Sequence, residues 1–393
     1  MRIAMFTDTF YPKNDGMSTS TQHLAASLAE HGHQVMVIAP KIHRSTKKFS
    51  IPGVKIVWLR SIPAGFYPDL RLASWSPLLH KALQDFAPEI VHVMSPMPVS
   101  LTGIAYAKMK HLPIVMTFHT YFMDPEYLKV VHIERTSKFV EELGWDLAKT
   151  VHARADVTIA PTDYVARDLH AHHFKQPILI IPSGMRIQKS PTPAEKIMSL
   201  SKKLQLPADK RFVVTIGRVS QEKNLRGLLR VWQQVVAQHP EAHLVAIGGG
   251  PDLMAIKAYA HDLELDNAVT FVGDVPHENI LSDGYYELGD FFVTASLSET
   301  QGMTSVEAQI YGLPVVAYHS KGLPFVVGEA GVMVPENDET SMVKAIIDLL
   351  EDENHLQTLR EKLLLNLARF DINTTTERML NAYQLAITIN QDQ

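Results

Sequence analysis

The chain has 393 residues without a single cysteine, and 46% of its residues are hydrophobic while 20% are charged. This length favours two domains, the composition is globular, and the absence of cysteine excludes disulfides, thiolate zinc sites and cysteine nucleophiles. The net charge of −5 is unevenly distributed, since residues 1–200 carry 22 Lys and Arg against 16 Asp and Glu while residues 201–393 carry 15 against 26. The basic first half indicates an anionic partner, and the alternative is ordinary variation in the charge of a solvated surface.

The N-terminus begins directly with a strand-like run. Residues Ile3 to Thr7 are mostly apolar and Asp8 follows them, with no hydrophobic region of the signal-peptide type. No apolar run in the sequence approaches the ~18 residues that span a bilayer. We therefore expect a cytoplasmic protein.

Short apolar runs alternate with helical patterns through the first half of the chain. An amphipathic segment covers Ser20 to His31. The runs predicted as further strands are Gln34–Pro40, Val54–Leu59, Ile90–Val93, Ile114–Thr117, Val157–Ala160 and Ile178–Ile181. Apolar strands separated by helices indicate a parallel sheet that is covered on both faces. Residues 1–188 are therefore predicted to form a doubly wound, Rossmann-like α/β domain.

The same architecture is predicted to repeat in the second half. A polar connector with two prolines covers Lys189 to Pro193. The strands predicted after it are Phe212–Gly217, His243–Gly248, Val269–Gly273, Phe291–Thr294 and Pro314–Ala317. Residues 189–370 should thus form a second Rossmann-like domain, and the helical tail 371–393 should close this domain or cross back onto the first. Because ligands bind beyond the carboxyl ends of parallel strands, two such domains are expected to face a central cleft.

Two loops of the first half follow predicted strands. Gly16 lies between the first strand and its helix, where a glycine lets backbone approach a ligand, although a glycine at such a place usually reflects ordinary turn chemistry. His119 follows the strand that ends at Thr117, in the position of a group that faces a sugar. Since the chain has 19 histidines, His119 draws attention only through its position.

Two cations follow the first strand of the second half. Arg218 and Lys223 lie five residues apart in a loop between a strand and a helix. Arginine supplies a planar fork of donors and lysine a mobile charge, so together they can neutralise a diphosphate; the alternative is a solvated loop that caps a helix. The glycines of Gly248 to Gly250 lack the spacing of a dinucleotide fingerprint and predict a tight turn near a nucleotide.

Two glutamates, Glu299 and Glu307, lie eight positions apart where a strand, a glycine-bearing loop and a helix start succeed one another. The loop supplies backbone N–H groups and the positive end of a helix dipole, which suit a phosphate, and each carboxylate can accept two sugar hydroxyl protons. Helix-surface charges and the acid/base pair of a glycoside hydrolase are the alternatives. If Glu307 lies within the helix and Glu299 before it, the two carboxylates should bind different parts of one extended ligand.

These segments occur in one order along the chain. They are the Gly16 loop, Thr117-Phe118-His119-Thr120, Gly217-Arg218 with Lys223 five residues on, and Glu299 with Glu307 eight residues on, followed by Gly312-Leu313-Pro314-Val315-Val316. This ordered set resembles the family-4 retaining glycosyltransferases of the GT-B fold over essentially the whole chain.

The resemblance implies a role for each matching residue. Arg218 and Lys223 would hold the donor diphosphate, Glu299 the hydroxyls of the transferred sugar, and Glu307 the ribose, while His119 would lie beside the sugar near the reacting centre. The remaining donor-binding residues that it implies are Gly16 near the phosphates, Val275 near the base, and Gly302, Met303 and Thr304 through their N–H groups. It further implies front-face attack with retention, in which positioning and charge stabilisation replace a strong base, and no cofactor or divalent metal.

The Ser-Glu-Thr-Gln-Gly form of the Glu299 loop resembles the branch that glucosylates diacylglycerol. The expected reaction is therefore transfer of glucose from UDP-glucose to a lipid, at the inner face of the cell membrane. Lys and Arg attract anionic lipids by about 1 kcal/mol each. The cations predicted to contact such a membrane are Arg44, Lys47, Lys48, Lys108 and Lys110, for which an ordinary basic loop is the alternative.

Other functions stay open at this stage. A hexosyltransferase that uses GDP-mannose or another donor could act on a phosphoinositide, a polyprenyl-linked acceptor or a polysaccharide. The chain could instead be a non-catalytic nucleotide-sugar-binding partner, although such a subunit has no need of the complete set of charged residues. An NAD-dependent oxidoreductase is supported only by doubly wound domains and glycine turns, and nucleic acid is not an expected partner because no basic stripe with interleaved aromatics occurs.

Overall fold

The structure, a computed structural model, describes residues 1–12, 15–42, 49–63, 71–73, 75–119, 121, 138–187 and 191–392, with the backbone alone at 138–140. The chain forms two compact units. Unit 1 contains Met1–Arg186 and Arg369–Gln393, and unit 2 contains Ile187–Ala368. The boundary predicted between residues 188 and 189 lies outside the described residues.

A parallel sheet of seven strands forms the centre of unit 1. The strands are β1 (Arg2–Phe6), β2 (Gln34–Pro40), β3 (Val54–Leu59), β6 (Ile90–Val93), β7 (Ile114–Thr117), β8 (Val157–Ala160) and β9 (Ile178–Ile180), and a separate antiparallel pair consists of β4 (Ile62–Pro63) and β5 (Arg71–Leu72). The order across the sheet is β3-β2-β1-β6-β7-β8-β9. All the strands predicted for this half are present, and their nearly continuous apolar sequence reflects burial on both faces.

The helices that cover this sheet alternate with its strands. They are α1 (Gly16–Glu30), α2 (Pro77–Phe86), α3 (Pro98–Lys110), α4 (Lys138–His152) and α5 (Asp163–Ala171). Helix α1 begins earlier than the predicted Ser20 because Asp15 caps it, accepting a bond of 2.8 Å from the N–H of Ser18. Ser76 caps α2 in the same way through Leu79 N–H, and Pro77 occupies the first helical position.

Unit 2 repeats the plan with six parallel strands. They are β10 (Arg211–Ile216), β11 (Ala242–Ile247), β12 (Val269–Gly273), β13 (Phe291–Thr294), β14 (Val315–Tyr318) and β15 (Gly331–Val334), in the order β12-β11-β10-β13-β14-β15. The five predicted strands are present, and β15 is an addition. The helices are α6 (Ala194–Lys203), α7 (Leu225–Gln238), α8 (Leu253–Asp262), α9 (His277–Ser282), α10 (Met303–Ile310), α11 (Leu323–Val327), α12 (Glu339–Glu351) and α13 (Glu353–Leu367).

Each sheet reverses its direction of growth beside its own first strand. In unit 1 the reversal lies between β1 and β6, and in unit 2 it lies between β10 and β13. At such a switch point the loops after the two strands leave in opposite directions, which opens a crevice at the carboxyl ends. The loops after β10 and β13 are those that carry Arg218, Lys223 and Glu299.

The C-terminal helix α14 (Ile372–Gln391) belongs to unit 1. Right-handed crossovers put α2 to α5 on one face of the sheet and α1 on the other, which leaves the second half of the other face uncovered. Helix α14 fills that place, since Met379 and Tyr383 belong to the same buried cluster as Val115 and Ile159. The hydroxyl of Tyr383 lies 2.8 Å from Nδ1 of the buried His92.

Within the described ranges, no helix combines the length and the apolar character that crossing a bilayer demands.

Candidate functional site

An ion pair closes across the switch point of unit 2. Lys223 lies in a 3-10 turn, Gln221–Lys223, in the loop after β10, and Glu299 lies in the loop after β13. Lys223 Nζ is 2.5 Å from Glu299 Oε1, with 30% of the lysine side chain and 14% of the glutamate side chain exposed. The structure therefore brings together two of the residues that the sequence predicted to share one site.

Arg218 forms a second ion pair in the same loop. Its guanidinium lies 2.6 Å from Oε1 of Glu222, which also accepts a 2.6 Å bond from the hydroxyl of Ser220. Glu222 is 4% exposed, and burial acts to raise the pKa of its carboxyl, but Arg218, Ser220 and the nearby Lys223 outweigh burial, so the pKa lies below its ordinary value. Sequence analysis overlooked Glu222. The one signal for it in the sequence is its position between two cations, Arg218 and Lys223.

The turn of glycines after β11 supports this loop through its backbone. Gly248 has φ +141°, and a Cβ there would lie 1.9 Å from the carbonyl oxygen of Gly217. The N–H of Val219 donates to the carbonyl of Gly249 at 2.8 Å. Close packing of two backbones thus explains the glycines, and the predicted tight turn lies against the Arg218 loop.

The loop after β13 leads into a helix whose first N–H groups lack a side-chain cap. Gly302, at φ +79°, is the N-cap of α10, and the helix begins with Met303 and Thr304. Since glycine has no side chain to accept a bond from these N–H groups, they suit an anionic ligand, and the helix dipole adds to that preference. Glu299 precedes the helix, as its predicted role requires.

Lys321, which sequence analysis did not single out, adds a cation beside the same loop. Its Nζ lies 3.4 Å from Ser298 Oγ, and the following residue, Gly322, donates its N–H to the carbonyl of Glu299 at 3.0 Å. Burial lowers the pKa of Lys321 to about 8, against the attraction of Glu336. Only the fold reveals this neighbour, because Lys321 lies in the loop after β14.

Glu307 is fixed inside unit 2 by two partners. It lies within α10 and is 3% exposed. Tyr286 donates its hydroxyl proton to Oε2 at 2.6 Å, and Nε2 of His277 lies 2.7 Å from Oε1. Burial acts to lower the pKa of His277, but the bond to Glu307 and the charges of Glu307 and Glu278 raise it above its ordinary value. A carboxylate has about four acceptor positions, so Glu307 can accept a further bond from a ribose. That bond stays a prediction.

Val275 lies in the short loop between β12 and α9, two residues before His277. Its side chain is half-buried and packs against the core cluster that contains Val214 and Val245. This loop also follows a strand's carboxyl end, so Val275 shares the edge of the sheet that carries the cations. The predicted contact with a base stays a prediction.

The two predicted residues of unit 1 share the carboxyl edge of its sheet. Gly16 is exposed at the start of α1, and His119 is half-buried two residues beyond β7. Burial lowers the pKa of His119 to about 4, so its imidazole is neutral at pH 7. In the loop that leads from β1 to Gly16, the buried Asp8 accepts bonds from Ser95 Oγ and the N–H of Val99, both at 2.7 Å; sequence analysis did not predict it.

The cations predicted to contact a membrane divide into two groups. Lys108 and Lys110 lie exposed in the last turn of α3. Arg44, Lys47 and Lys48 lie outside the described residues.

Within the part of the chain that the structure describes, no group of three His, Asp or Glu side chains is arranged to hold a metal ion. The independence from metal expected of the reaction stays a prediction.

Comparison with known families assigns both halves of the chain. Residues 14–189 match the family described as Glycosyltransferase Family 4, and residues 197–363 match Glycosyl transferases group 1. The first match covers the strands of unit 1 from β2 to β9, and the second covers all six strands of the unit 2 sheet.

Similar proteins support the same assignment. The chain is 29% identical to an alpha-monoglucosyldiacylglycerol synthase of Streptococcus pneumoniae over 92% of this chain and 82% of that protein, and 26% identical to the synthase of the same name of Acholeplasma laidlawii over 91% and 90%. The crystal structure of HepE from Anabaena in complex with UDP-glucose is similar in fold, with a TM-score of 0.77 over 97% of this chain and 99% of that one at 18% identity.

Proposed function

We infer that this chain, which belongs to the family-4 glycosyltransferases of GT-B fold, transfers glucose from UDP-glucose to diacylglycerol or a closely related lipid. The observation that carries the proposal is the group of charged side chains at the switch point of unit 2, where Lys223 pairs with Glu299 at 2.5 Å and Arg218 lies in the same loop. Parallel sheets of this topology bind nucleotides at that place.

The donor diphosphate is assigned to the cations of this group. Arg218 offers its guanidinium fork and Lys223 its ammonium. Lys223 contacts Glu299 in the loop that leads into α10, whose first N–H groups add positive potential. Charge that develops on the departing diphosphate is stabilised by groups held in place before reaction. In this proposal these side chains and the helix start carry that charge without a divalent metal.

The sugar is assigned to Glu299 and the ribose to Glu307. Glu299 lies in the loop before α10 and Glu307 within the helix, with different partners. The ion pair with Lys223 holds the carboxylate of Glu299 in one orientation, which suits it to bind hydroxyl groups. We therefore propose that Glu299 orients sugar hydroxyls, and that the leaving phosphate oxygen itself takes the acceptor proton on the same face, with retention.

His119 of unit 1 is proposed to contact the transferred sugar. Because burial lowers its pKa to about 4, the ring is neutral at pH 7 and one ring nitrogen can donate a hydrogen bond while the other accepts one. A neutral ring can bind hydroxyls without adding a positive charge beside an oxocarbenium-like transition state. Gly16 is proposed to let the start of α1 approach the phosphates, and Val275 to lie against the base.

The lipid acceptor is supported by the two synthases, whose names specify a monoglucosyldiacylglycerol product. An enzyme that acts on such an acceptor must visit a bilayer. Lys108 and Lys110, exposed at the end of α3, are proposed to contribute to reversible binding of an anionic surface at about 1 kcal/mol each.

One experiment tests donor and acceptor together. The purified chain is incubated with an equimolar pool of sugar nucleotides and with vesicles that contain diacylglycerol, with and without EDTA. Mass spectrometry gives the mass of the products, and NMR identifies the sugar and its anomeric configuration. We expect a monohexosyl diacylglycerol with the mass and α configuration of the glucoside, in equal yield with EDTA. If the chain neither binds nor hydrolyses any sugar nucleotide, the proposal fails as a whole, whereas transfer to another acceptor overturns only the lipid assignment.

A further inference from the structure

A groove runs between α3 and α4 on the outer side of unit 1. Its volume is about 420 Å³, within the range of roughly 300–1,000 Å³ that is typical of small-molecule sites. The residues that line it are Leu101, Ile104, Ala105 and Lys108 of α3, and Leu147, Thr150, Val151 and Arg154 of α4 and the turn after it. None of these residues belongs to the charged group at the switch point of unit 2, and Lys108 alone among them is also proposed for membrane contact.

The two walls have the same spacing. Each supplies residues at positions i, i+3, i+4 and i+7, which is one face of a helix over two turns or about 10 Å. Because α3 and α4 connect successive parallel strands in the same direction, right-handed crossovers place them side by side and parallel. The first residues of both walls therefore lie at one end of the groove, and the last residues lie at the other.

This alignment separates apolar from charged chemistry along the groove. Leu101 and Leu147 begin the walls, with 42% and 56% of their surfaces exposed, above a floor of the buried Ile104 and Val151. Lys108 and Arg154, both exposed, end the walls. A site that is apolar at one end and doubly cationic at the other matches a molecule with an alkyl chain and an anionic head.

The cationic end retains a net positive charge after its neighbours are counted. Arg154 donates one N–H to the carbonyl of Thr150 at 2.7 Å, which leaves further donors of its five-donor fork facing outwards. The buried Asp156 lies near Lys108, and its carboxylate accepts the N–H of Ile114 at 2.7 Å. At the other end of the groove, Asp146 precedes Leu147 and is paired with Lys149 at 2.8 Å.

We propose that this groove binds one anionic phospholipid, with an acyl chain against Leu101 and Leu147 and the phosphate between Lys108 and Arg154. The inference goes beyond the proposed function, since this site requires neither donor nor transfer and is separate from the acceptor's reacting hydroxyl. It predicts saturable binding of a single lipid molecule, which charge attraction to a bilayer surface alone does not produce.

The test uses dioctanoyl phosphatidylglycerol below its micelle concentration, titrated into the full chain by calorimetry, with dioctanoyl phosphatidylcholine as the lipid of equal chain length and no net charge. We expect one phosphatidylglycerol per chain and clearly weaker binding of phosphatidylcholine. Leu147→Gln should weaken binding of both lipids. The double variant K108Q/R154Q should weaken phosphatidylglycerol by about tenfold or more and phosphatidylcholine less, because the choline cation offsets the charge of its phosphate.

Matched controls lie in unit 2. Leu365, 83% exposed, is replaced by Gln, and the exposed Lys202 and Lys203 are both replaced by Gln; neither change should alter lipid binding. Melting curves verify that every variant is folded. A photoactivatable acyl chain on phosphatidylglycerol should label peptides that contain Leu101 or Leu147.

Equal binding of both lipids, or unchanged binding in the groove variants, would overturn the inference. UDP-glucose binding is measured on the same samples. If the chain does not bind UDP-glucose, the proposed function is contradicted, and the lipid titration still tests the groove. If the groove variants lose lipid binding but still bind UDP-glucose, the result supports the groove as a lipid site and leaves the proposed function unaffected.

Discussion

Lys223 Nζ and Glu299 Oε1 lie 2.5 Å apart, which joins the loops after β10 and β13 across the switch point of unit 2. The cation proposed for the diphosphate and the carboxylate proposed for the sugar therefore neutralise each other before a donor is bound. Each holds the other in a fixed orientation, so a sugar nucleotide meets side chains that are already placed. Preorganisation of this kind lowers the cost of aligning charges during reaction.

The first prediction concerns this pair. Glu299→Gln should lower kcat for transfer by about 10²–10³, the usual cost of losing one placed electrostatic or hydrogen-bonding group, because the amide no longer accepts sugar hydroxyl protons at both atoms. Lys223→Gln should lower kcat and also weaken UDP binding. Stability should change little, since the pair is partly exposed. Initial rates and thermal melting measure the two effects.

Lys196→Gln serves as the matched control, because it removes a partly exposed ion pair with Asp283 on another side of unit 2. It should leave the transfer rate unaltered. Near-normal transfer by Glu299→Gln would remove Glu299 from the role proposed for it.

The second prediction separates two contributions of Arg218. Removing the guanidinium in Arg218→Ala leaves the carboxylate of Glu222, only 4% exposed, without the cation that contacts it. Because Arg218 itself is 40% exposed and Ser220 still donates to Glu222, the loss should cost about 1–3 kcal/mol of unfolding free energy. Glu222→Gln added to Arg218→Ala should restore much of that stability, since a neutral amide is cheaper to bury. Transfer should stay impaired in the double variant because the diphosphate still lacks its guanidinium.

Urea unfolding and initial rates of the two single variants and the double variant complete this cycle. Should the double variant recover full transfer, Arg218 would be a structural residue that stabilises its loop and not a donor ligand.

Much of this fold follows from the strand sequences. Runs such as Val157–Ala160 and Phe291–Thr294 are apolar except for one threonine each, because both faces of their sheets are covered. Such runs are recognisable without knowledge of their neighbours. β15 escaped prediction because its four residues include Gly331 and are only partly buried, as befits the edge of a sheet.

The supporting residues of the site were harder to predict. Tyr286 and His277 are 21 and 30 residues from Glu307 in sequence, and only the folded chain brings them to its carboxylate. Lys321 reaches Ser298 from the loop of a different strand. Among 19 histidines and 12 tyrosines, no spacing distinguishes these two, because the contacts depend on strand order and not on local periodicity.

The third prediction concerns pH and the pair of His277 with Glu307. The pKa of His277 is raised in the folded chain, so the pair stabilises fully below the ordinary histidine value of about 6.5 and that contribution is lost as pH rises through the folded pKa. The unfolding free energy of unit 2 should therefore decline from pH 6 towards pH 8 through this pair. His277→Gln should flatten that part of the profile.

Urea unfolding at closely spaced pH values measures the profile, and His170→Gln, at an exposed position of α5, is the control that should retain the decline. The buried His92 and His152 act in the opposite sense, since burial lowers both pKa values to about 3. Their contribution is lost as pH falls below about 6.5, so unit 1 should lose stability in acid. A profile that His277→Gln leaves unchanged would show that the imidazole is not charged in this pair.

The fourth prediction concerns α14, which covers the part of the unit 1 sheet that no crossover helix reaches. Deleting residues 371–393 removes Ile372, Met379 and Tyr383, all at most 5% exposed, whose burial is worth about 1.5–3 kcal/mol each. A domain has only about 5–15 kcal/mol in total, so unit 1 should lose most of its stability. Tyr383→Phe should cost about 1 kcal/mol by removing the bond to His92, and deleting residues 391–393 should cost nothing measurable.

Hydrogen exchange with mass spectrometry tests the effect of deleting residues 371–393 directly, because peptides of β6 to β8 should lose protection in that deletion while those of unit 2 keep it. Equal protection in both units after the deletion would mean that the sheet does not need α14 as its cover.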